Sequence, residues 1–347
     1  MLSFAIDFGN GFVKAISEKR TIVAPSSIVE AKKLGKGSID NLVALDNLGY
    51  QVYKSNLDDE EKYAWGEEVE NIDGFTKTGI TSDRYTDRDF KLLCEFVLAE
   101  LGSDFTEEEL QEVFLVTGMP SQEIGTPEEK TFYNHLKGKH LVERNNKEMV
   151  INIKELKIVE QPVGTLLDLY MTDEGKMHKS LKTDKVVVMD FGAGTTIIDT
   201  FQGLRRIEEE SVVEYTGIND IYKSVVRNLQ KNHNIKRDIF PLIKQGFEDG
   251  NYRMQRDGRD YIPFEEVAKE HVKDHLKMAL RASRETVGGL DLVNQFILTG
   301  GGLNIIEDTF KESANDITKK IEVTYVEDAQ KENVRGYYKL AKVLSEQ

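Results

Sequence analysis

The chain has 347 residues, with 61 acidic against 46 basic side chains, a formal net charge of −15, 39% hydrophobic and 31% charged residues. That length allows two domains with separate cores, and the acidic balance argues against direct DNA binding, which needs lysine and arginine against phosphates. No apolar stretch approaches the roughly 20 residues needed to cross a bilayer and no basic-then-apolar leader opens the sequence, so the expected setting is the cytoplasm, with no membrane partner.

Leu2, Phe4, Ile6 and Phe8 alternate as one face of a strand. The strand runs into Asp7-Phe8-Gly9-Asn10-Gly11, and Phe12 to Ile16 reads as the returning strand of a hairpin. Residues 31–77 are polar and glycine-punctuated, with apolar pieces such as Leu42-Val43-Ala44-Leu45, and read as a small inserted subdomain with a weak core of its own. A helix is predicted from about Asp87 to Leu101 with Gly102 as its C-cap. Phe90, Leu93, Cys94, Val97, Leu98 and Leu101 share one face of it, so Cys94, the single cysteine, reads as a buried hydrophobe. Glu107-Glu108-Glu109 and Glu208-Glu209-Glu210 read as solvated faces. Val113 to Val116 is a strand opening onto Thr117-Gly118-Met119-Pro120. Val150 to Ile153 and Leu156 to Val159 read as two further strands, and Val163 to Tyr170 as a helix with Pro162 in its first turn.

The polar span Thr172 to Lys185 is the expected domain boundary, giving a first domain over 1–172 and a second over 173–332. Residues 333–347 are expected to form a helix returning to the first. The second half restarts with Val186 to Met189, then Asp190-Phe191-Gly192-Ala193-Gly194 and a return strand from Thr195 to Thr200. Residues 218–262 read as an inserted element. Glu265 to Val287 is a long helix closed by Gly288-Gly289. On it, His271 and His275 have helical spacing without the glutamate placement of a zinc protease, so a solvated face is expected. Val293 to Leu298 is the strand before Thr299-Gly300-Gly301-Gly302-Leu303-Asn304. The strand, acidic glycine turn and strand thus occur twice, at the start of each half.

Glycines let backbone approach a phosphate and point amides at its oxygens. In the first turn, Gly9, Asn10 and Gly11 would do so, with Lys14 as a point charge and Asp7 facing a magnesium ion through its water. A plain hairpin would look the same. In the second, Gly192, Ala193 and Gly194 would cradle the other side of the phosphates, with hydroxyls from Thr195 and Thr196. Asp190 would orient or deprotonate the attacking water or hold the ion's hydration shell. Gly300, Gly301 and Gly302 would admit a nucleoside. Glu160-Gln161-Pro162 would position the water, or is simply a polar strand-to-helix turn. Together the three motifs, each at a strand end, define a phosphate clasp.

These motifs, in this order, resemble the nucleotide-binding signature of the superfamily of actin, sugar kinases and heat-shock chaperones. Asp7 to Lys14 and Asp190 to Thr196 match its two phosphate motifs. Glu160 to Gly164 and Asn333 to Tyr337 match its connecting segments, and Leu298 to Asn304 its adenosine motif. Thr117 to Gly125, Gln161 to Leu169 and Asp190 to Thr200 are similar to the ParM branch of bacterial actins from Gram-positive plasmids. The resemblance implies an α/β, actin-like two-domain fold with duplicated ribonuclease-H-like sheets and small inserted subdomains. It implies catalytic Asp190, Gln161, Glu160 and Asp7, which of Glu160 and Gln161 acts staying open. It implies nucleotide contacts from Gly9, Asn10, Gly11, Lys14, Gly192, Ala193, Gly194, Thr195, Thr196, Gly217, Lys244, Gly300, Gly301, Gly302 and Asn304, with Lys244 at the base or ribose. Magnesium is held by Asp7 and Asp190 through water. The implied cofactors are ATP, or GTP, and Mg2+. The implied function is a filament-forming ATPase that drives plasmid segregation, with itself and a centromere-binding adaptor as partners. The alternative is a small-molecule kinase of the same fold, but no acceptor-site motif stands out. A membrane-tethered scaffold lacks an anchor, because the terminal helix, read from Tyr337 to Gln347, is short and mixed in charge.

Overall fold

The structure, a computed structural model, describes residues 1–34, 49–78, 83–105, 110–178, 181, 183–257, 260–313 and 321–346; Leu42 to Leu45 and Glu107 to Glu109 lie outside them. The chain forms two compact units, Met1–Met177 with Lys331–Gln347, and His178–Gln330.

In the first unit, β1 (Leu2–Phe8), β2 (Phe12–Ile16) and β3 (Thr21–Pro25) form an antiparallel meander. They are followed by β4 (Ser27–Glu30), β5 (Gln51–Ser55), β6 (Asp58–Trp65), β7 (Thr76–Lys77), α1 (Arg88–Gly102), β8 (Gln111–Met119), α2 (Pro127–Leu136), β9 (Gly138–Arg144), β10 (Lys147–Glu160) and α3 (Gln161–Tyr170). The strands build one sheet in the order β3-β2-β1-β8-β10-β9-β5-β6-β4-β7, with β8 parallel to both β1 and β10. From Ser3 onward every residue of β1 is buried, as a strand covered on both faces requires.

Three expectations change here. Val150 to Ile153 and Leu156 to Val159 belong to one strand, β10, in which a register shift between Ile153 and Glu155 interrupts the alternation. Part of the span 31–77, read as a subdomain with its own core, joins the main sheet and core of the first unit. β5 pairs with β9, placing Tyr53 opposite Arg144, and Tyr53, Tyr63 and Trp65 enter the main core beside Phe96. The predicted span 31–77 does keep a small cluster of its own, Ala31, Leu34, Tyr50, Ala64 and Val69, joined by Val29 of β4. Finally, α1 is capped by Asp87, whose carboxylate accepts from the Phe90 amide at 2.9 Å, but Gly102 is its last helical residue and Ser103 its C-cap.

The second unit contains β11 (Lys185–Phe191), β12 (Thr196–Gln202), β13 (Arg205–Arg206), β14 (Val212–Glu214), α4 (Ile218–His233), α5 (Phe240–Glu248), the hairpin β15 (Arg253–Asp257) and β16 (Asp260–Pro263), α6 (Glu265–Val287), β17 (Gln295–Thr299), α7 (Leu303–Ser313) and β18 (Glu322–Tyr325). Its sheet runs β13-β12-β11-β17-β18, with β14 on β12. The order and sense of these five strands repeat those of β3-β2-β1-β8-β10: two antiparallel pairings, then two parallel ones. The span 218–262 becomes α4, α5 and most of the hairpin. Its Tyr222, Val225, Ile243, Phe247 and Ile262 share one core with Phe191, Phe296 and Leu298. Burying each such side chain stabilises by about 1.5–3 kcal/mol. Helix α6 ends at Gly288, left-handed at φ +79°. Glu210 is not simply solvated, because its carboxylate holds the Lys185 ammonium at 2.8 Å.

The terminal helix α8 (Glu332–Ser345) starts one residue before the expected span 333–347, ahead of the shorter reading from Tyr337, and packs within the first unit. Val334, Tyr337 and Ala341 are buried with Ala5 of β1 and Val116 of β8. Gly164 of α3 meets α8 so closely that a Cβ there would lie 2.7 Å from the Asn333 Cα.

Candidate functional site

The first glycine turn joins β1 to β2. Asp7, only 4% exposed, stands opposite Lys14 in the register, and the Lys14 Nζ lies 3.1 Å from its Oδ2. A buried carboxylate needs such a partner, because desolvation without one is costly. The turn itself is braced from behind. The Ser26 hydroxyl donates to the Gly9 carbonyl at 2.6 Å, the Ser26 amide to the Gly11 carbonyl at 3.0 Å, and the Thr78 amide to the Ser26 carbonyl at 2.8 Å. Asn10 and Gly11 are exposed at the tip. From the start of the α1 approach, Arg84 donates to the Asn10 Oδ1 at 2.9 Å and to the Phe8 carbonyl at 2.6 Å.

Because β1, β8 and β10 are parallel, their carboxyl ends share one edge, where α/β sheets bind ligands. Glu160 ends β10 opposite Met119 and is the N-cap of α3, while Gln161 opens that helix; both are half-buried. Helix α8 fixes this junction. The Tyr337 hydroxyl donates to the Gln161 carbonyl at 3.0 Å, and the Asn333 Oδ1 accepts from the amide and hydroxyl of Thr165. Asp168 binds Arg335 at 2.7 Å and Lys339 at 3.2 Å.

The second turn, from β11 to β12, is held chiefly by backbone. The Gly192 amide donates to the Thr195 carbonyl at 2.9 Å. The first amides of α4, from Ile218 and Asn219, donate to the carbonyls of Gly192 and Ala193 at 3.0 and 2.9 Å. Gly217 makes this docking feasible, since a Cβ there would sit 2.6 Å from the Thr195 nitrogen. Asp190 pairs with Ile197 on β12 and Thr299 on β17. Just beyond Thr299, Gly300 adopts φ +95°, and a Cβ on it would lie 2.6 Å from the Phe191 nitrogen. The Gly302 amide then donates to the Phe191 carbonyl at 2.9 Å. The structure therefore gathers Asp190, Gly192 to Thr196, Gly217 and Gly300 to Gly302 around one turn. Asn304 is exposed in the first turn of α7. Lys244 is exposed on α5, in an i,i+4 pair with Glu248 at 3.6 Å.

The expected solvated face at His271 and His275 is corrected. His275 is buried, and its Nε2 lies 3.0 Å from the Thr196 Oγ1, which itself donates to the Thr216 carbonyl at 3.0 Å. A hydroxyl has one proton, so His275 is the donor in that pair, with its proton on Nε2. Burial lowers its pKa, and the nearby Asp220 charge opposes that only in part. The Nε2 of His271 is buried as well. Sequence spacing shows two histidines on one helical face; it cannot show that β12 covers that face. Arg84, Ser26 and Thr78 are likewise absent from the sequence reading, since each reaches the first turn from a separate segment.

Residues 5–164 match the family of actin-like proteins, N-terminal domain. Among solved structures, the apo psk41 ParM protein is 32% identical, with 99% of this chain and 98% of that one covered and a TM-score of 0.81. An archaeal actin homologue, Ta0583 in complex with ADP, shares the fold at 20% identity, 99% coverage of both chains and a TM-score of 0.70. A 15-stranded ParM filament from Clostridium botulinum shares it at 18% identity, 98% and 99% coverage and a TM-score of 0.72. No curated protein sequence matches. The duplicated sheets and their paired acidic glycine turns define an actin-like protein. Within that class the chain belongs to the ParM-like plasmid-segregation proteins of the bacterial actin family.

Proposed function

We propose that this protein is an ATPase whose nucleotide-dependent filaments move plasmids through a DNA-bound adaptor. The observation that carries the reading is the duplication itself. At the same place in two equivalent sheets, a central strand ends in Asp-Phe and opens into a glycine turn. The full-length similarity to psk41 ParM and the ADP complex of the archaeal homologue support nucleotide as the ligand. Filament formation is supported by the ParM filament that shares the fold.

In this reading Gly9 to Gly11 and Lys14 serve the phosphates from one turn, and Gly192 to Thr196 from the other. Gly217, Gly300 to Gly302, Asn304 and Lys244 serve the nucleoside, adenosine or guanosine. Among the described residues no three His, Cys, Asp or Glu side chains converge as a metal-ligand set. That suits a magnesium ion held by phosphate oxygens and water, with Asp7 and Asp190 contacting its water shell. Bound magnesium would neutralise charge on the phosphates. Asp190 orients the attacking water and accepts its proton, and Gln161 or Glu160 aligns it. Nucleotide binding favours head-to-tail addition of subunits, and hydrolysis weakens the filament. The chain's acidity, at −15, assigns contact with centromere DNA to an adaptor.

The test is sedimentation and electron microscopy with Mg-ATP, Mg-GTP, Mg-ADP or no nucleotide. Cooperative pelleting above a critical concentration with a nucleoside triphosphate is expected. A monomer at every concentration and nucleotide would sink the proposal.

A further inference from the structure

We propose that Arg84 is a phosphate-contacting residue of the first turn and the clamp that orients Asn10 toward the nucleotide. The inference rests on the nucleotide reading above and adds a residue outside the glycine motifs.

The starting point is charge. Lys14 is bound to Asp7, so that pair offers no net charge to an anion. Among the described residues, Arg84 is a second cation bonded to this turn. Its two terminal nitrogens each spend one N–H on the turn, to the Asn10 Oδ1 and the Phe8 carbonyl, and each retains a second. Its Nε is buried with no acceptor. Among the described residues no carboxylate lies within ion-pair distance of it, in a chain where acidic side chains outnumber basic ones. A half-buried guanidinium without a counter-ion is costly, and a bound polyphosphate would offset that cost.

The placement is also rigid. The guanidinium carbon sits 4.5 Å from the centroid of the Phe90 ring, a cation–π contact. Phe90 is fixed in turn by the Asp87 cap and by an edge contact with Phe8, ring centroids 5.7 Å apart. The planar fork therefore reaches the turn along a defined line, which a lysine could not reproduce. Because the Asn10 Oδ1 accepts from Arg84, its NH2 group is left to donate, the polarity a phosphate oxygen needs.

The experiment is titration calorimetry of the wild type, Arg84→Gln and Arg84→Lys with Mg-ATP, Mg-ADP and adenosine at low and high salt, alongside thermal unfolding without ligand. Arg84→Gln is expected to weaken ATP and ADP binding about tenfold to a hundredfold, to flatten its salt dependence, and to leave adenosine affinity unchanged in a variant that thermal unfolding shows to be folded. Arg84→Lys should restore the salt dependence and only part of the affinity, and it decides the matter if the glutamine variant does not fold. Unchanged ADP and ATP affinities, or an adenosine affinity that falls in the same proportion, would overturn the proposal. A wild type that binds none of the three, nor Mg-GTP, Mg-GDP or guanosine in the same titration, overturns the nucleotide reading itself.

Discussion

The two acidic glycine turns have nearly the same sequence and are built by different means. The first is organised by side chains: a buried Asp7–Lys14 pair, the Ser26 hydroxyl behind the loop and the Arg84 fork at its tip. The second is organised by backbone. The α4 amides dock on its carbonyls, Gly217 and Gly300 leave room for that approach, and side chains add the Thr196–His275 link and the Asp220 carboxylate on the Gly217 amide. The duplicated sheet fixes where a turn falls, and what surrounds it decides whether it offers charge or shape.

The largest effect expected from this contrast is a steric one. Gly300→Ala should cost about 3 kcal/mol or more, because it combines a left-handed backbone with contact on the Phe191 nitrogen. Gly11→Ala, at a position with nothing within 4 Å, should change stability by less than about 1 kcal/mol. Urea denaturation of the two variants measures this, and equal costs would remove the distinction. Next, Lys14→Met should destabilise the nucleotide-free protein by about 3 kcal/mol by leaving Asp7 buried and unpaired, while Lys14→Met with Asp7→Asn should recover most of it. An additive double mutant would show that the pair does not organise the turn.

A smaller effect is expected at the second turn. His275→Leu should weaken nucleotide binding about tenfold through the lost Thr196 bond, and His275→Gln, which retains an N–H donor, should recover it. The smallest concerns acid. Burial holds His135 of the first unit at a pKa of about 4, and lowers that of His275 in the second. The unfolded chain then binds more protons below about pH 6.5, so stability falls as pH drops from there toward 4. Replacing His135 by Gln should flatten this loss by about 1 kcal/mol, the side chain being only partly covered. Parallel stability–pH curves would contradict it.

What could be read from the sequence is what local pattern encodes. The strands at Leu2 and Val186, the turns after them and the helix Glu265 to Val287 follow from alternation, glycine and period. β10 reads as two strands because a bulge breaks its alternation, and the pairing of β5 with β9 leaves no local mark. His275 looks solvated until β12 covers it, and Arg84 is one arginine among many until its loop meets the first turn. The acidic glycine motifs show where phosphate chemistry is expected; the groups that brace them come from segments far away in the chain.

The division of roles between the turns is tested most directly by Asp190→Asn, with Mg-ATP affinity measured by calorimetry and hydrolysis by single-turnover assay. Affinity within about threefold of wild type, with hydrolysis at least about a hundredfold slower, is the predicted result. Hydrolysis at the wild-type rate would contradict the assignment of Asp190 to the chemical step.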